Sequence, residues 1–236
     1  MLFAEGKTAS TNKMETPDSG GPGSQNYVWE VPEKQISIHM DLDVMDLLHQ
    51  ETLRGFGVVP KRGVEVGGIL LGSIEEGERR LVRIEDFEPV PCQHALGLNY
   101  QLTEEESRGL EAAVARWQRE PGRRTYVVGF YRSHSREGAL GLSDDDMQLY
   151  GAHFPEPYQV VLLVQPFTTR ASVGGFFFRE GGPIRRESSY LEFPFGRKEL
   201  GGDERKKETA PRAARPEPRS RAPLPEQGGI LKCRQP

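Results

Sequence analysis

Between Ile36 and Arg179 the apolar pattern never keeps one period for longer than a short strand or a three-turn helix, and this narrows the folds open to the chain. Ile36 and Ile38 alternate with polar neighbours, as in a strand with one face buried. Asp43 to Arg54 predicts a helix, with Val44, Leu47, Leu48 and Glu51 at helical spacing. Val64 to Gly72 is an apolar strand, a Glu-Glu-Gly turn follows, and a second strand runs from Arg80 to Val90, which together predict a hairpin. Thr103 with Glu106 forms a capping-box signal before a helix carrying Leu110, Ala113, Val114 and Trp117 on one face. Gly122 ends it, and Thr125 to Tyr131 has the β-branched and aromatic content of a buried strand. A short helix is expected from Ser143 through Ala152. Strands at Gln159–Gln165 and Ser172–Arg179 flank a Thr-Thr-Arg-Ala turn. Strands and helices neither alternate strictly nor segregate. The expected class is α/β in the broad sense (α+β): one domain with a curved, mostly antiparallel sheet flanked by helices.

The chain has 236 residues, of which 36% are apolar, a deficit that the pattern assigns to the two ends. Residues 1–26 are rich in Gly, Ser, Thr and Pro without apolar periodicity and read as a disordered leader. Residues 197–236 read as a disordered basic tail rich in Pro and Arg, leaving 27–196 as the folded domain. Net charge is −4, but the stretch from Arg197 onward holds eleven basic and six acidic residues, so the preceding body carries −9. A body of that sign argues against nucleic acid as a ligand of the folded part. No apolar run reaches the roughly 18 residues of a membrane span. The opening residues show neither a basic n-region nor an apolar h-region, so the expectation is a soluble, cytoplasmic protein. Cys92 and Cys233 are the two cysteines, which excludes a disulfide framework and a multi-cysteine zinc module.

One stretch brings metal-type ligands close together, from Gly129-Phe-Tyr-Arg-Ser-His134 to Ser143-Asp-Asp-Asp146. His134 offers an imidazole nitrogen and Asp144, Asp145 or Asp146 a carboxylate. A catalytic zinc takes three protein ligands and a water, with a carboxylate nearby to accept the proton of that water. Two ligands can be assigned from this stretch and a third cannot.

Together with Glu65-Val-Gly-Gly-Ile-Leu-Leu-Gly72, these motifs resemble the MPN (JAMM/JAB) domain family over about residues 33–180. The family pattern places a Glu before a Gly-Leu-Leu-Gly-like run, and later Gly-Trp-Tyr-His-Ser-His-Pro, seven residues, Ser, two residues and Asp. Active members hold zinc and cleave isopeptide bonds to ubiquitin-like modifiers, or related amide bonds. The resemblance implies His134 and Asp146 as metal ligands, Glu65 as general base and Ser143 as the residue that helps stabilise the oxyanion. The chain departs from the pattern at Arg132, where the first histidine stands in the family. Ser135 replaces the proline, and eight residues rather than seven separate His134 from Ser143. A register that takes His134 as the first histidine and Arg136 as the second is also off by one and loses the Gly-Phe-Tyr match.

An arginine keeps its proton in proteins and has no lone pair for zinc, whereas its fork suits carboxylates. The expectation is therefore a metal-free pseudo-site in which Arg132 holds Glu65 and Asp146, with no cofactor. The domain then acts as a catalytically silent binding or scaffold module. The resemblance implies a protein partner, either ubiquitin-like (β-grasp) or another MPN-like chain, or a homodimer. The alternative is a divergent zinc-dependent isopeptidase or peptidase using Glu65, Ser143, His134, Asp146 and a third ligand from elsewhere, with His94, near Cys92, as the candidate to test and a Cys92/His94/His134 site as a further arrangement. Ser143 and Asp146 also suit a plain helix N-terminus, serine as cap and acids in the first turn. Gly67 and Gly68 suit close packing. Arg123, Arg124, Arg132 and Arg136 cluster in the sequence around one strand.

Overall fold

In the computed structural model, the structure describes residues 25–58, 63–135 and 138–200. These lie in one compact unit, Met1–Arg205. The expected leader, apart from its last residues, and the tail beyond residue 200, with Cys233, lie outside the described residues, as does Arg136.

The chain order is β1 (Asn26–Glu30), β2 (Ile36–Asp41), α1 (Leu42–Val58), β3 (Gly67–Glu75), β4 (Arg80–Pro89), α2 (Glu104–Arg116), β5 (Tyr126–Ser133), α3 (Asp144–His153), β6 (Val160–Gln165), β7 (Val173–Phe177) and β8 (Glu192–Pro194). Among the described residues the strands form one sheet in the order β1-β2-β4-β3-β5-β6-β7-β8. The β2–β4 and β5–β6 pairs are parallel and the other pairs antiparallel, as the crossovers through α1 and α3 require. The architecture is a single α+β domain, a mixed, curled half-barrel sheet with, among the described residues, three helices. No described helix is long and apolar enough to cross a membrane.

Two apolar clusters lie on the two faces of the sheet. One gathers Val44, Met45 and Leu48 of α1 with Ile38, Leu70, Val128, Tyr131 and Leu162. The other gathers Leu110 and Ala113 of α2 and Tyr150 of α3 with Ile69, Phe130, Val161 and Leu163. Burial of each large side chain contributes roughly 1.5–3 kcal/mol. The helical face of α1 is corrected in one respect. Leu47 is 45% exposed, and Met45, Thr52 and Gly55 are buried with Val44 and Leu48 instead. The stripe is rotated because the helix starts against β2 and its register follows the sheet.

The edge strands β1 and β8 carry too few residues to show a period, and their aromatics close the curl. Tyr27 stacks on Phe193 with centroids 4.7 Å apart, and the Trp29 indole N–H donates to the Leu191 carbonyl at 2.9 Å. Arg197, counted with the basic tail above, is buried. Its Nε donates to Asp46 at 2.9 Å and Nη2 contacts Asp43, both on α1.

The predicted cap of α2 is present. The Thr103 hydroxyl accepts from the Glu106 amide and the Glu106 carboxylate accepts from the Thr103 amide. Thr103→Ala is expected to cost about 1 kcal/mol, read as a lower urea midpoint at unchanged slope.

Candidate functional site: a buried Arg-carboxylate knot

Arg132 reaches the site because β5 is bulged. Leu70 pairs with Gly129 but Leu71 with Val127, so Val128 is the extra residue. In an unbroken strand Val128 and Phe130 would share a face. Across the bulge they fall in opposite clusters, Val128 on the α1 side and Phe130 on the α3 side. Arg132, two residues beyond Phe130, therefore points toward α3. Gly129 has a steric reason of its own: a Cβ there would meet the Val160 carbonyl of β6.

Glu65 precedes β3 in an extended segment clamped on several sides. Val64 N–H donates to the Gly55 carbonyl, Glu65 N–H to Leu98, and Val66 N–H to the Ser133 hydroxyl at 2.8 Å. Gly67 lets the Tyr100 ring lie against the strand, where a Cβ would come within 2.8 Å of it.

The guanidinium of Arg132 lies between two carboxylates. Nη1 donates to Asp146 Oδ1 at 2.5 Å and Nη2 to Glu65 Oε2 at 2.8 Å. Arg132 is 2% exposed, Glu65 3% and Asp146 0%. Each carboxylate has further donors. Glu65 Oε2 accepts from Tyr100 N–H at 3.1 Å and Oε1 from Ser135 N–H at 3.2 Å. Asp146 Oδ2 accepts from the Ser143 amide and hydroxyl, both at 2.7 Å, and lies 3.1 Å from His134 Nε2. Burial pushes the Asp146 carboxyl up, but the His134 hydrogen bond, the Arg132 charge and the Ser143 hydroxyl outweigh it and hold the group at about 2. Burial likewise pulls the Arg132 guanidinium down, and Asp146 and Glu65 raise it beyond recovery. Arg132 Nε is buried with no hydrogen-bond partner among the described residues.

All five site residues taken from the sequence thus meet: Glu65, Arg132, His134, Ser143 and Asp146. With Asn99, Gln101, Asp144 and Asp145, four of them (Glu65, Arg132, His134 and Ser143) line a cleft of about 340 Å³. Asp146 lies behind its wall. Their engagements differ from those of a metalloenzyme. Ser143 is the N-cap of α3, its hydroxyl accepting from the Asp146 amide at 3.2 Å, so that hydroxyl is committed to the cap. Arg132 occupies the place between the carboxylates and supplies no lone pair, so the residues present do not fit a zinc ion. No three His, Cys, Asp or Glu side chains among the described residues are grouped to hold a metal.

Cys92 and His94 do approach each other, Sγ to Nδ1 at 3.7 Å, while His134 is engaged with Asp146. The arginine cluster expected around β5 is divided. Arg132 is at the C-terminal end, while Arg123 precedes the other end and donates to the Arg116 carbonyl that ends α2 and to the Gln118 carbonyl beyond it. Gly68 serves close packing, its missing Cβ facing the Glu88–Pro89 backbone. Sequence reasoning missed the loop contribution of Tyr100, which caps Glu65 through its amide, and of Gln101, which donates to Asp145 at 2.7 Å. Main-chain donors leave no mark in residue type.

Fold and site together define an α+β domain with a buried, ion-paired polar knot beneath a small cleft. No protein-family model matches the chain, and no curated protein matches it. Among solved structures it is similar to a protein from Desulfitobacterium hafniense known in solution, with 18% identity and a TM-score of 0.41 over 66% of this chain and 92% of that one. It is also similar to a Salinibacter ruber protein, with 17% identity and a TM-score of 0.36 over 66% and 97% of the two chains. Likenesses this distant carry no argument about function.

Proposed function

We propose that this chain is an MPN-like domain in which Arg132 stands where the metal would be. It works in the cytoplasm as a catalytically silent module that binds a protein, either ubiquitin-like or another MPN-like chain. The observation that carries the reading is the fork of Arg132 onto Glu65 and Asp146, since these are the carboxylates the resemblance assigns to base and ligand. The guanidinium fastens the start of β3, the end of β5 and the start of α3, the segments a bound metal would otherwise join. Glu65 is saturated by three donors and is poorly placed to take a proton from a water. The zinc-isopeptidase alternative draws on one observation, the convergence of Glu65, His134, Ser143 and Asp146. It requires Arg132 to leave and a third ligand to arrive.

The test is zinc titration of Arg132→His beside the parent chain and Arg132→His/His134→Ala. The expected result is negligible zinc in the parent, a gain of about one zinc per chain in Arg132→His, and its loss in the double variant. Stoichiometric zinc in the parent, removed by His134→Ala, would overturn the pseudo-site reading.

A further inference from the structure

We propose that Ser188 is a phosphate acceptor for an arginine-directed protein kinase, and that its phosphate draws Arg186 away from Asp144 at the mouth of the cleft. The inference starts from the connection between β7 and β8, where Arg185-Arg186-Glu187-Ser188 lies outside regular structure with Arg185 and Glu187 exposed and Ser188 half-buried. A basic pair two and three residues upstream of a hydroxyl is a charge pattern that kinases discriminate by matching acidic subsites. The neighbouring Ser189 is unsuited, because it is buried and its hydroxyl is shared between the Phe176 and Leu191 carbonyls at 3.0 and 3.1 Å.

The environment of Ser188 is prepared for a dianion. Arg185 Nη2 already donates to the Ser188 hydroxyl at 2.8 Å. In the transfer, the γ-phosphoryl group of ATP forms its new bond to Ser188 Oγ as the bond to the β-phosphate oxygen breaks. The hydroxyl proton passes to the kinase's base, and ADP leaves. The product brings close to two negative charges and three acceptor oxygens beside the Arg185 guanidinium, with Arg186 two residues away along the chain.

Arg186 is the group free to change partner. Its Nη2 bonds Asp144 Oδ1 at 2.6 Å, with the two side chains 42% and 91% exposed, and exposed pairs of this kind are weak and readily exchanged. Its backbone stays put, because the Arg186 carbonyl accepts from Leu142 N–H at 2.8 Å. Gly141 packs so tightly there that a Cβ would come within 2.7 Å of the Glu187 carbonyl. The loop therefore remains docked while one side chain turns from Asp144 to the phosphate. Asp144 lines the cleft, so its mouth becomes more acidic, whatever the cleft binds.

The test treats the native full-length chain with the catalytic subunit of an arginine-directed kinase and Mg·ATP, with the site mapped by mass spectrometry. One phosphate at Ser188 is expected, absent in Ser188→Ala, with the rate reduced more than about tenfold in Arg185→Ala. Nitrogen-15 NMR of the Arg186 guanidinium then reads the exchange of partners. Its resonance, identified by its absence in Arg186→Ala, is expected to move on phosphorylation of the parent. Phosphate that enters only after denaturation, or that lands on Thr125 or Ser189 instead, would overturn the acceptor assignment. Full phosphorylation of Ser188 with an unmoved Arg186 guanidinium resonance would overturn the link to the cleft.

Discussion

Replacing Arg132 by methionine is expected to destabilise the domain by about 3–5 kcal/mol, the range for removing one member of a buried ion-paired group. The cause is electrostatic rather than volumetric, since methionine fills comparable space. Glu65 and Asp146 are almost fully enclosed, and without the guanidinium two buried carboxylates are left with no cation between them. Their other donors remain, so the fold is weakened at this point and not abolished. At about 2–4 °C per kcal/mol for a domain of this size, the thermal midpoint should fall by roughly 6–20 °C. Arg132→Lys should recover only part of the loss, because one ammonium cannot serve two carboxylates as a planar fork does. Urea unfolding should show the change in midpoint and not in slope. A loss below about 1 kcal/mol in Arg132→Met would mean that the carboxylates are hydrated or protonated, and the knot would lose its standing as the fastening of the site.

Most of the elements and the location of the candidate site were legible in the sequence, because each left a pattern in side-chain type. The cap at Thr103 and the cap at Ser143 are visible in residue spacing, and both form with their reciprocal bonds. Buried strands announce themselves by apolar runs, and β5 is buried along its whole length. What stayed hidden depends on main-chain geometry or on tertiary context. The bulge that turns Arg132 toward α3 is a register shift between strands distant in sequence. The amides of Tyr100 and Ser135 that saturate Glu65 carry no residue-specific signal. Leu47 has the right spacing and the wrong angle, since the sheet and not the helix chooses which stripe is covered. The pairing of Arg132 with Glu65 and Asp146 was expected because the resemblance places those carboxylates around the position Arg132 takes, and a guanidinium fork suits carboxylates.

The same knot predicts a particular acid sensitivity. Asp146 falls from its ordinary 3.8 to about 2 in the folded protein, so folding favours the ionised carboxylate. For a group depressed in this way, the contribution is complete above the unfolded value and disappears as pH falls through the folded one. A drop of that size corresponds to about 2 kcal/mol, present at pH 5 and above and lost progressively between about pH 4.5 and 2. The physical event is protonation of a carboxylate that His134, Arg132 and the Ser143 hydroxyl all require as an anion. The start of α3 should then loosen first, because its cap and its tie to β5 use the same carboxylate. Carbon-13 NMR should find the Asp146 carboxyl midpoint near 2, with amide exchange at the start of α3 accelerating over that range. A midpoint close to 3.8 would mean that the arginine and histidine do not hold the anion in solution, and the metal-replacing role of Arg132 would fail with it.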